Sequence, residues 1–464
     1  MYLCEAKRET LMLPNDFIES TRATFGEALW EQYLGAFDSG APVSIRLNRR
    51  KATDGIAGNG HERVAWCDDG IYLGERPQFT FDPLLHAGAY YVQEASSMFL
   101  HHVMKHVLGK EPLLMIDMCA APGGKSTLAC SLLPEGSMIV SNEPVAQRAS
   151  ILSENMKKWG MPNVVVTNNY PRDIRKTGIT ADIVLCDVPC SGEGMFRKDE
   201  ATIGEWSMKN VEKCSAMQRE IVSEAWQCLR QGGIMIYSTC TFNTRENEEN
   251  VRWISESMDG EIIEIPTEKE WGITGSLLPG FDEPVYRFIP GRTRGEGLFM
   301  AVIRKKGECT QRMPKMKVND KEKSSTEWLK NPEEYVVEQN GLNITATPKA
   351  WQPIVKHLTK ELRVVHAGIS LGTVKGKDII PDQCLALSTE LKSDAFPKAE
   401  VDWQTAIAYL RKEAITLDAD MPRGHVLLTY RQMPLGFVKN LGNRANNLYP
   451  AEWRIKTTHV PNWS

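Results

Sequence analysis

The sequence predicts an α/β protein built around a parallel sheet with helices on both faces, and three observations carry that expectation. Five apolar runs recur at intervals: LLMIDMC (113–119), SMIVSNE (137–143), NVVVTNN (163–169), DIVLCDV (182–188) and GIMIYST (233–239). Helical patterns separate them. In one, residues 217–230, Met217, Ile221, Ala225 and Cys228 recur at helical spacing, and Gly232-Gly233 are expected to end the helix. The third observation is composition: 42% hydrophobic and 25% charged residues match ordinary globular usage. Strands that are apolar throughout, rather than alternating, belong to sheets covered on both sides, and ligands of such sheets bind beyond the strands' carboxyl ends.

Taken in order, residues 14–38 read as a helical pair with Phe17, Phe25, Leu29 and Tyr33 among its apolar positions. PVSIRLN (42–48) alternates like a strand, and the Gly, Asn and Asp of 54–70 indicate loop. The sheet block occupies 86–305, leaving 1–85 as an N-terminal module. A polar, Lys-rich stretch, 306–326, reads as a linker. Short apolar segments with Trp and Tyr follow, expected to form α+β units over 327–400 and 401–464. A length of 464 residues accommodates about three domains.

The net charge of −4 argues against global wrapping of nucleic acid, but charge is unevenly spread. Residues 421–464 hold six Lys/Arg against one acid, and 304–330 hold nine against four. Such regions fit either local contact with a polyanion or a solvated surface. The opening MYLCEAKRETLMLP lacks the apolar core of a signal peptide, and no apolar run approaches the roughly 18 residues that span a bilayer. Eleven scattered cysteines without a CxxC pair fit a reducing cytoplasm and give no zinc site, so no metal is expected. Nothing demands more than a monomer.

DMCAAPGGKST (117–127) joins the first run to a helix beginning near Ser126. A phosphate-binding P-loop would need glycine where Cys119 stands, although Lys125 and Ser126 fit one. A glycine turn feeding a helix can also cradle a carboxylate or ribose through backbone N–H groups, and Glu143, ending the next strand, is placed to bind ribose hydroxyls. A nucleotide-like cofactor is expected, with an unused glycine turn as the alternative. Cys190 and Cys240 each lie just past a strand end among polar or glycine neighbours, where a thiol is reachable and its thiolate can be stabilised. Cys119, Cys130, Cys214 and Cys228 read instead as buried, inert thiols.

DMCAAPGGKS, SNEPVAQR, DVPCSGEGMFRKD and YSTCTFNTRENEENV together resemble the RNA 5-methylcytosine methyltransferases of the Sun/NSUN class, and among these the bacterial RsmF type that acts on ribosomal RNA. PVSIRLN and HAGAYYVQEASSM (86–98) are similar to the family's N-terminal module and its junction with the core, and PLGFVKNLGNRANNLYP (434–450) to its PUA-like RNA-binding tail. The resemblance implies a Rossmann-like core that uses S-adenosylmethionine, held by Cys119, Ala120, Ala121, Pro122, Gly123, Gly124 and Lys125, with Glu143 on the ribose and Asp187 beside it. It implies Cys240 as the nucleophile on carbon 6 of cytosine, Asp187 near N3, and Cys190 as the helper in product release. Many relatives carry an Asp after the third strand. Here TNNYPRDI leaves Asn169, Tyr170 and Asp173 as open candidates, and Arg148 is open between a site and a surface role.

In the basic tail, Arg431, Lys439, Arg444 and Arg454, with Tyr430, Phe437, Tyr449 and Trp453, combine phosphate-neutralising and base-stacking groups, several of the aromatics being needed as core. The expected partner is ribosomal RNA or the small ribosomal subunit. Transfer RNA is the alternative substrate and an RNA-binding assembly factor the non-enzymatic alternative. A P-loop hydrolase is disfavoured by Cys119.

Overall fold

In a computed structural model, residues 13–51, 60–307 and 326–457 are described. The opening segment, part of the 54–70 loop, most of the linker and the last seven residues lie outside them. Strands are numbered here in chain order: β1 Val43–Leu47, β2 Gly70–Leu73, β3 Tyr90–Val92, β4 Leu114–Asp117, β5 Met138–Asn142, β6 Val164–Thr167, β7 Ala181–Asp187, β8 Leu229–Thr239, β9 Gly260–Ile262, β10 Tyr286–Phe288, β11 Leu298–Lys305, β12 Tyr335–Asn340, β13 Asn343–Pro348, β14 Val364–Ala367, β15 Ile369–Lys375, β16 Asp378–Pro381, β17 Lys398–Glu400, β18 Gly424–Tyr430, β19 Met433–Asn440 and β20 Ala445–Asn447.

The five apolar runs form β4 to β8, paired in parallel in the order β8-β7-β4-β5-β6. Helices Gly124–Leu132, Ala146–Trp159 and Met208–Gln227 intervene. Two apolar layers result, one on each face, so alternate residues of one strand enter different layers: Met115 and Ile183 the first, Ile116 and Val184 the second. Each such side chain, fully buried, contributes about 1.5–3 kcal/mol. The chain reverses strand order at β4, with β5 on one side and β7 on the other, which opens a crevice beyond their carboxyl ends.

The sequence expectation is corrected at the glycine pair. The helix ends at Gln227, and Gly232-Gly233 lie inside β8, where pairing with β7 slips between Ala181 and Ile183. Gly232 has φ +73°, and a Cβ on Gly233 would lie 2.9 Å from the Asp182 carbonyl. The pair serves a strand irregularity, not a helix cap.

Antiparallel strands extend the sheet at both edges: β11 and β10 beside β8, β9 on β11, and β14 beside β6. The domain boundaries shift accordingly. Strand β3 pairs with β1 in a three-stranded sheet, so the N-terminal module runs past residue 85 to Val92. Within 327–400, helix Gln352–Glu361 packs Ile354, Val355 and Leu358 on the core and β14 joins its sheet, so this segment is not independent of the core. Strand β17 pairs with β18, so the last unit begins before 401. That unit shares one apolar cluster with the N-terminal module, Ile45, Leu84 and Tyr90 meeting Ile407, Leu410 and Leu428. No helix among the described residues is long and apolar enough to cross a membrane.

Candidate active site

Strands β7 and β8 run side by side in parallel, with Asp187 paired to Ser238 at their carboxyl ends. The two loops that follow are therefore neighbours, and they bring Cys190 Sγ to 3.1 Å from Cys240 Sγ, fifty residues apart in sequence. The Cys240 N–H also points at Cys190 Sγ, at 3.3 Å. The hydrogen bond to Cys240 and then burial push the Cys190 thiol well above its ordinary value. Both thiols are partly exposed, whereas Cys119, Cys130, Cys214 and Cys228 are buried.

Two buried carboxylates hold the thiol loops together. Glu246 accepts from Ser191 N at 3.0 Å, Gln218 Nε2 at 2.7 Å and Asn243 Nδ2 at 2.8 Å. Glu193 accepts from Phe242 N at 2.6 Å and Asn243 N at 2.9 Å. Burial raises Glu246 to about 6 against these donors. Behind the loops, Phe196 and Phe242 join an aromatic cluster with Phe17, Phe25, Trp30 and Tyr33 of the N-terminal helices Asn15–Phe25 and Glu27–Gly35. The N-terminal helical pair thus supports the reactive edge. Neither acid was singled out from sequence, although both lie in the motifs quoted above.

Asp187 is gripped on both oxygens: Lys125 Nζ lies 2.8 Å from Oδ2, and Ser238 Oγ donates to Oδ1 at 2.6 Å. Burial opposes the Lys125 charge, but the adjacent Asp187 outweighs it, and the ammonium pKa is raised. Lys125 opens helix Gly124–Leu132 after a turn in which Gly123 has φ +116°. Ala120 N donates to Asn142 O at 2.8 Å. The Ala121 carbonyl accepts from Arg148 at 3.0 Å and the Pro122 carbonyl from Asn155 at 2.8 Å. Arg148 therefore braces the turn. Cys119 is buried at the start of the turn, and Gly124 O accepts from the buried Arg46 at 3.3 Å.

Glu143 ends its strand with Oε1 accepting from Val145 N at 3.0 Å. Its Oε2 is buried without a hydrogen-bond donor, Arg148 standing 3.5 Å away. Asp117 Oδ1, at the end of β4, is likewise buried and unsatisfied, while Oδ2 accepts from Ser126 Oγ at 2.6 Å. Burial pushes Asp117 up to about 7. Unsatisfied buried acceptors flanking a glycine turn are what a hydroxyl- and ammonium-bearing ligand would satisfy. Of the open candidates beyond β6, Asn169 spends its side chain on the backbone of Arg363, and Asp173 accepts from Tyr170 N as a helix cap. Tyr170 is left with an exposed ring.

The basic tail does not converge in the same way. Arg431, Arg444 and Arg454 are exposed, Arg431 at a hairpin tip with φ +48°. Lys439 forms an ion pair with Asp378 at 3.6 Å. Tyr430, Phe437 and Tyr449 are buried core, which removes them as base-stacking groups. Only Trp453 of that set is partly exposed, under Lys158.

Comparison with known proteins gives three family matches along the chain: the N-terminal domain of 16S rRNA methyltransferase RsmF over 13–95, 16S rRNA methyltransferase RsmB/F over 107–304, and the methyltransferase RsmF PUA domain over 396–455. Ribosomal RNA small subunit methyltransferase F of Shigella boydii is 30% identical, the alignment covering 96% of this chain and 97% of that one. The chain belongs to the RsmF family of 16S rRNA methyltransferases. The Escherichia coli O157:H7 relative of the same description is 29% identical over the same shares. Among solved structures, a methyltransferase homologue from Pyrococcus horikoshii superposes with a TM-score of 0.56 at 26% identity, covering 66% of this chain and 99% of that one. NSun6 from the same organism, solved with SFG, has the same fold, with a TM-score of 0.54 at 22% identity over 64% of this chain and 99% of that one.

Proposed function

We propose that this protein transfers a methyl group from S-adenosylmethionine to carbon 5 of a cytidine in small-subunit (16S) ribosomal RNA. The observation that carries the reading is the thiol pair: two cysteines from neighbouring strand ends, 3.1 Å apart beside a doubly held carboxylate.

Carbon 5 of cytosine is a weak nucleophile because the ring is aromatic and electron-poor. Attack by Cys240 Sγ on carbon 6 forms an S–C bond and sends the ring's π electrons toward carbon 5 and N3. Cys240 gives up one proton and N3 takes one. Asp187, held by Lys125 and Ser238, accepts a hydrogen bond from that N3–H and stabilises the charge that develops on addition. Carbon 5 then takes the methyl group. Release requires the carbon 5 proton to leave, the carbon 5–carbon 6 double bond to re-form and the S–C bond to break. Cys190 passes its thiol proton to the departing Cys240 Sγ, 3.1 Å away, and receives the carbon 5 proton, while N3 gives its proton back to solvent. The target base must be unpaired or extruded for a thiol to reach carbon 6.

When bound, S-adenosylmethionine supplies an electrophilic methyl on a sulfonium and presents no phosphate, which suits a turn with Cys119 in place of the P-loop glycine. Residues 119–125 would hold its methionine and ribose portions, Glu143 Oε2 would accept from a ribose hydroxyl, and Asp187 would serve both the donor side and the base. The part of residues 86–305 beyond β3 forms the catalytic domain, and the N-terminal module and the last C-terminal unit bind RNA. The test is bisulfite sequencing of total RNA from cells with and without the gene. A 16S cytidine loses protection when the gene is absent. If only transfer RNA changes, the substrate moves there; if nothing changes, the assignment fails.

A further inference from the structure

A cavity of about 450 Å³ lies between the N-terminal helical pair and the loop that precedes β11. Arg197, Arg292 and Arg294 line it, and no acid or aromatic occurs among its described lining residues. Gly35, Gly40 and Gly291 leave backbone accessible on its walls. Arg197 lies seven residues past Cys190, and its side chain is 6% exposed. Its Nη1 donates to Ala36 O at 2.7 Å and its Nη2 to Glu296 at 2.8 Å, but its buried Nε has no partner. Arg292 Nε donates to Gly272 O at 3.0 Å. Arg294 pairs with Glu62 over the Tyr72 ring and is half exposed.

The loop is held by close approaches that admit only glycine. A Cβ on Gly291, where φ is +84°, would lie 2.0 Å from Gln32 O of the N-terminal helix. One on Gly295 would meet Ser96 Oγ at 2.2 Å, and one on Gly297 would meet Gly194 Cα at 2.6 Å. Gly194 N in turn donates to the Cys240 carbonyl at 2.8 Å. Gly297 lies six positions beyond Gly291, a reach of at most about 20 Å. A group gripped in the cavity is therefore held by a loop that also packs against the Cys240 loop, within a few nucleotide lengths of the thiol.

We propose that this cavity binds a backbone phosphate of the RNA strand, within a few nucleotides of the one presented to Cys240. Three guanidiniums and exposed backbone suit a phosphate, while the missing aromatic surface speaks against a stacked base. The proposal rests on the methyltransferase reading and adds a register contact to it: the phosphate sets which nucleotide reaches the thiols.

The test uses the full chain and an RNA fragment carrying the cytidine found by bisulfite sequencing. Its affinity is measured from 50 to 200 mM KCl for wild type, R292Q/R294Q and K110A, a charge control at the opposite edge of the sheet. Loss of the phosphate contact reduces the slope of log affinity against log salt by about 0.7–0.9, so the fourfold salt increase costs the double variant roughly threefold less affinity than it costs wild type. K110A keeps the wild-type slope. In a methylphosphonate scan, neutralising one or two phosphates near the target weakens wild type several-fold and R292Q/R294Q not at all. Equal slopes, or identical scans for the two proteins, overturn the inference while wild-type methylation leaves the enzymatic reading standing. A wild type that neither binds nor methylates the RNA overturns the reading itself.

Discussion

The carboxyl edge of the core sheet and the sheet β17–β20 both carry residues with recognisable chemistry, and they treat them differently. At the core edge, Lys125, Asp187, Cys190, Ser238 and Cys240 come from three separate segments and make two neighbouring sets of contacts of 2.6 to 3.1 Å, Lys125 and Ser238 on Asp187 and Cys190 on Cys240. In the sheet β17–β20, alternation sends Phe437 inward and leaves Lys439 half exposed, and the remaining basic groups sit at separate positions. Parallel strand ends converge by topology, so function-bearing loops there are neighbours whatever their separation in sequence. In the small sheet, strand period and the need for a core decide where each side chain points.

That contrast can be broken experimentally, and the largest effect belongs to the convergent edge. Asp187→Asn removes the negative charge that faces the developing charge and leaves the Lys125 ammonium without its ion-pair partner. A loss of about 10²–10³ in the rate of methyl transfer is expected, with the donor still bound. A tenfold smaller loss would remove Asp187 from the chemistry. Next is Glu143→Gln, which exchanges a charged acceptor for a neutral one. Calorimetry of donor binding is expected to show an affinity loss of about 10- to 100-fold, the worth of one charged hydrogen bond. An unchanged affinity means the ribose lies elsewhere.

The third prediction concerns pH. The Asp117 carboxyl titrates at about 7 in the fold against 3.8 for the free group, because it is buried. Between those values the folded chain holds a proton the unfolded chain has released. The contribution of Asp117 to stability therefore falls as pH rises from about 4 to 7 and is flat above. Asp117→Asn lacks this loss. Its melting temperature relative to wild type is expected to rise from pH 5 to pH 8, and a constant difference would show that Asp117 is ionised throughout. The smallest effect is assigned to the dispersed region. Arg431→Ala, an exposed tip residue, is expected to change melting by no more than about 0.5 kcal/mol and to reduce the salt slope of RNA binding by about 0.7–0.9. A loss as large as that of Asp187→Asn would show that the tail, too, builds a site.

Long apolar runs made β4 to β8 legible, since only a doubly covered sheet buries such strands. The edge strands were not legible: β14, with only Val364, Val365, His366 and Ala367, becomes a strand because β6 offers unpaired backbone groups. Gly232-Gly233 misled because a glycine pair after a helical pattern has the same composition whether it caps a helix or bends a strand. In the site, the proximity of the two thiols followed from strand order alone. Glu193 and Glu246 escaped because acids read as surface residues, and only the N–H groups of two facing loops make their burial tolerable. The aromatics of the tail could not be sorted in advance, for a small unit needs a core and draws on the same residues that would stack bases.

The most direct test of the thiol assignment incubates Cys190→Ala and Cys240→Ala with RNA and the methyl donor, followed by a denaturing gel. Cys190→Ala is expected to accumulate a protein–RNA adduct that survives denaturation, because addition proceeds while release fails. Cys240→Ala is expected to form none and to transfer no methyl group. An adduct with Cys240→Ala, or with neither variant, would contradict the roles assigned to the pair.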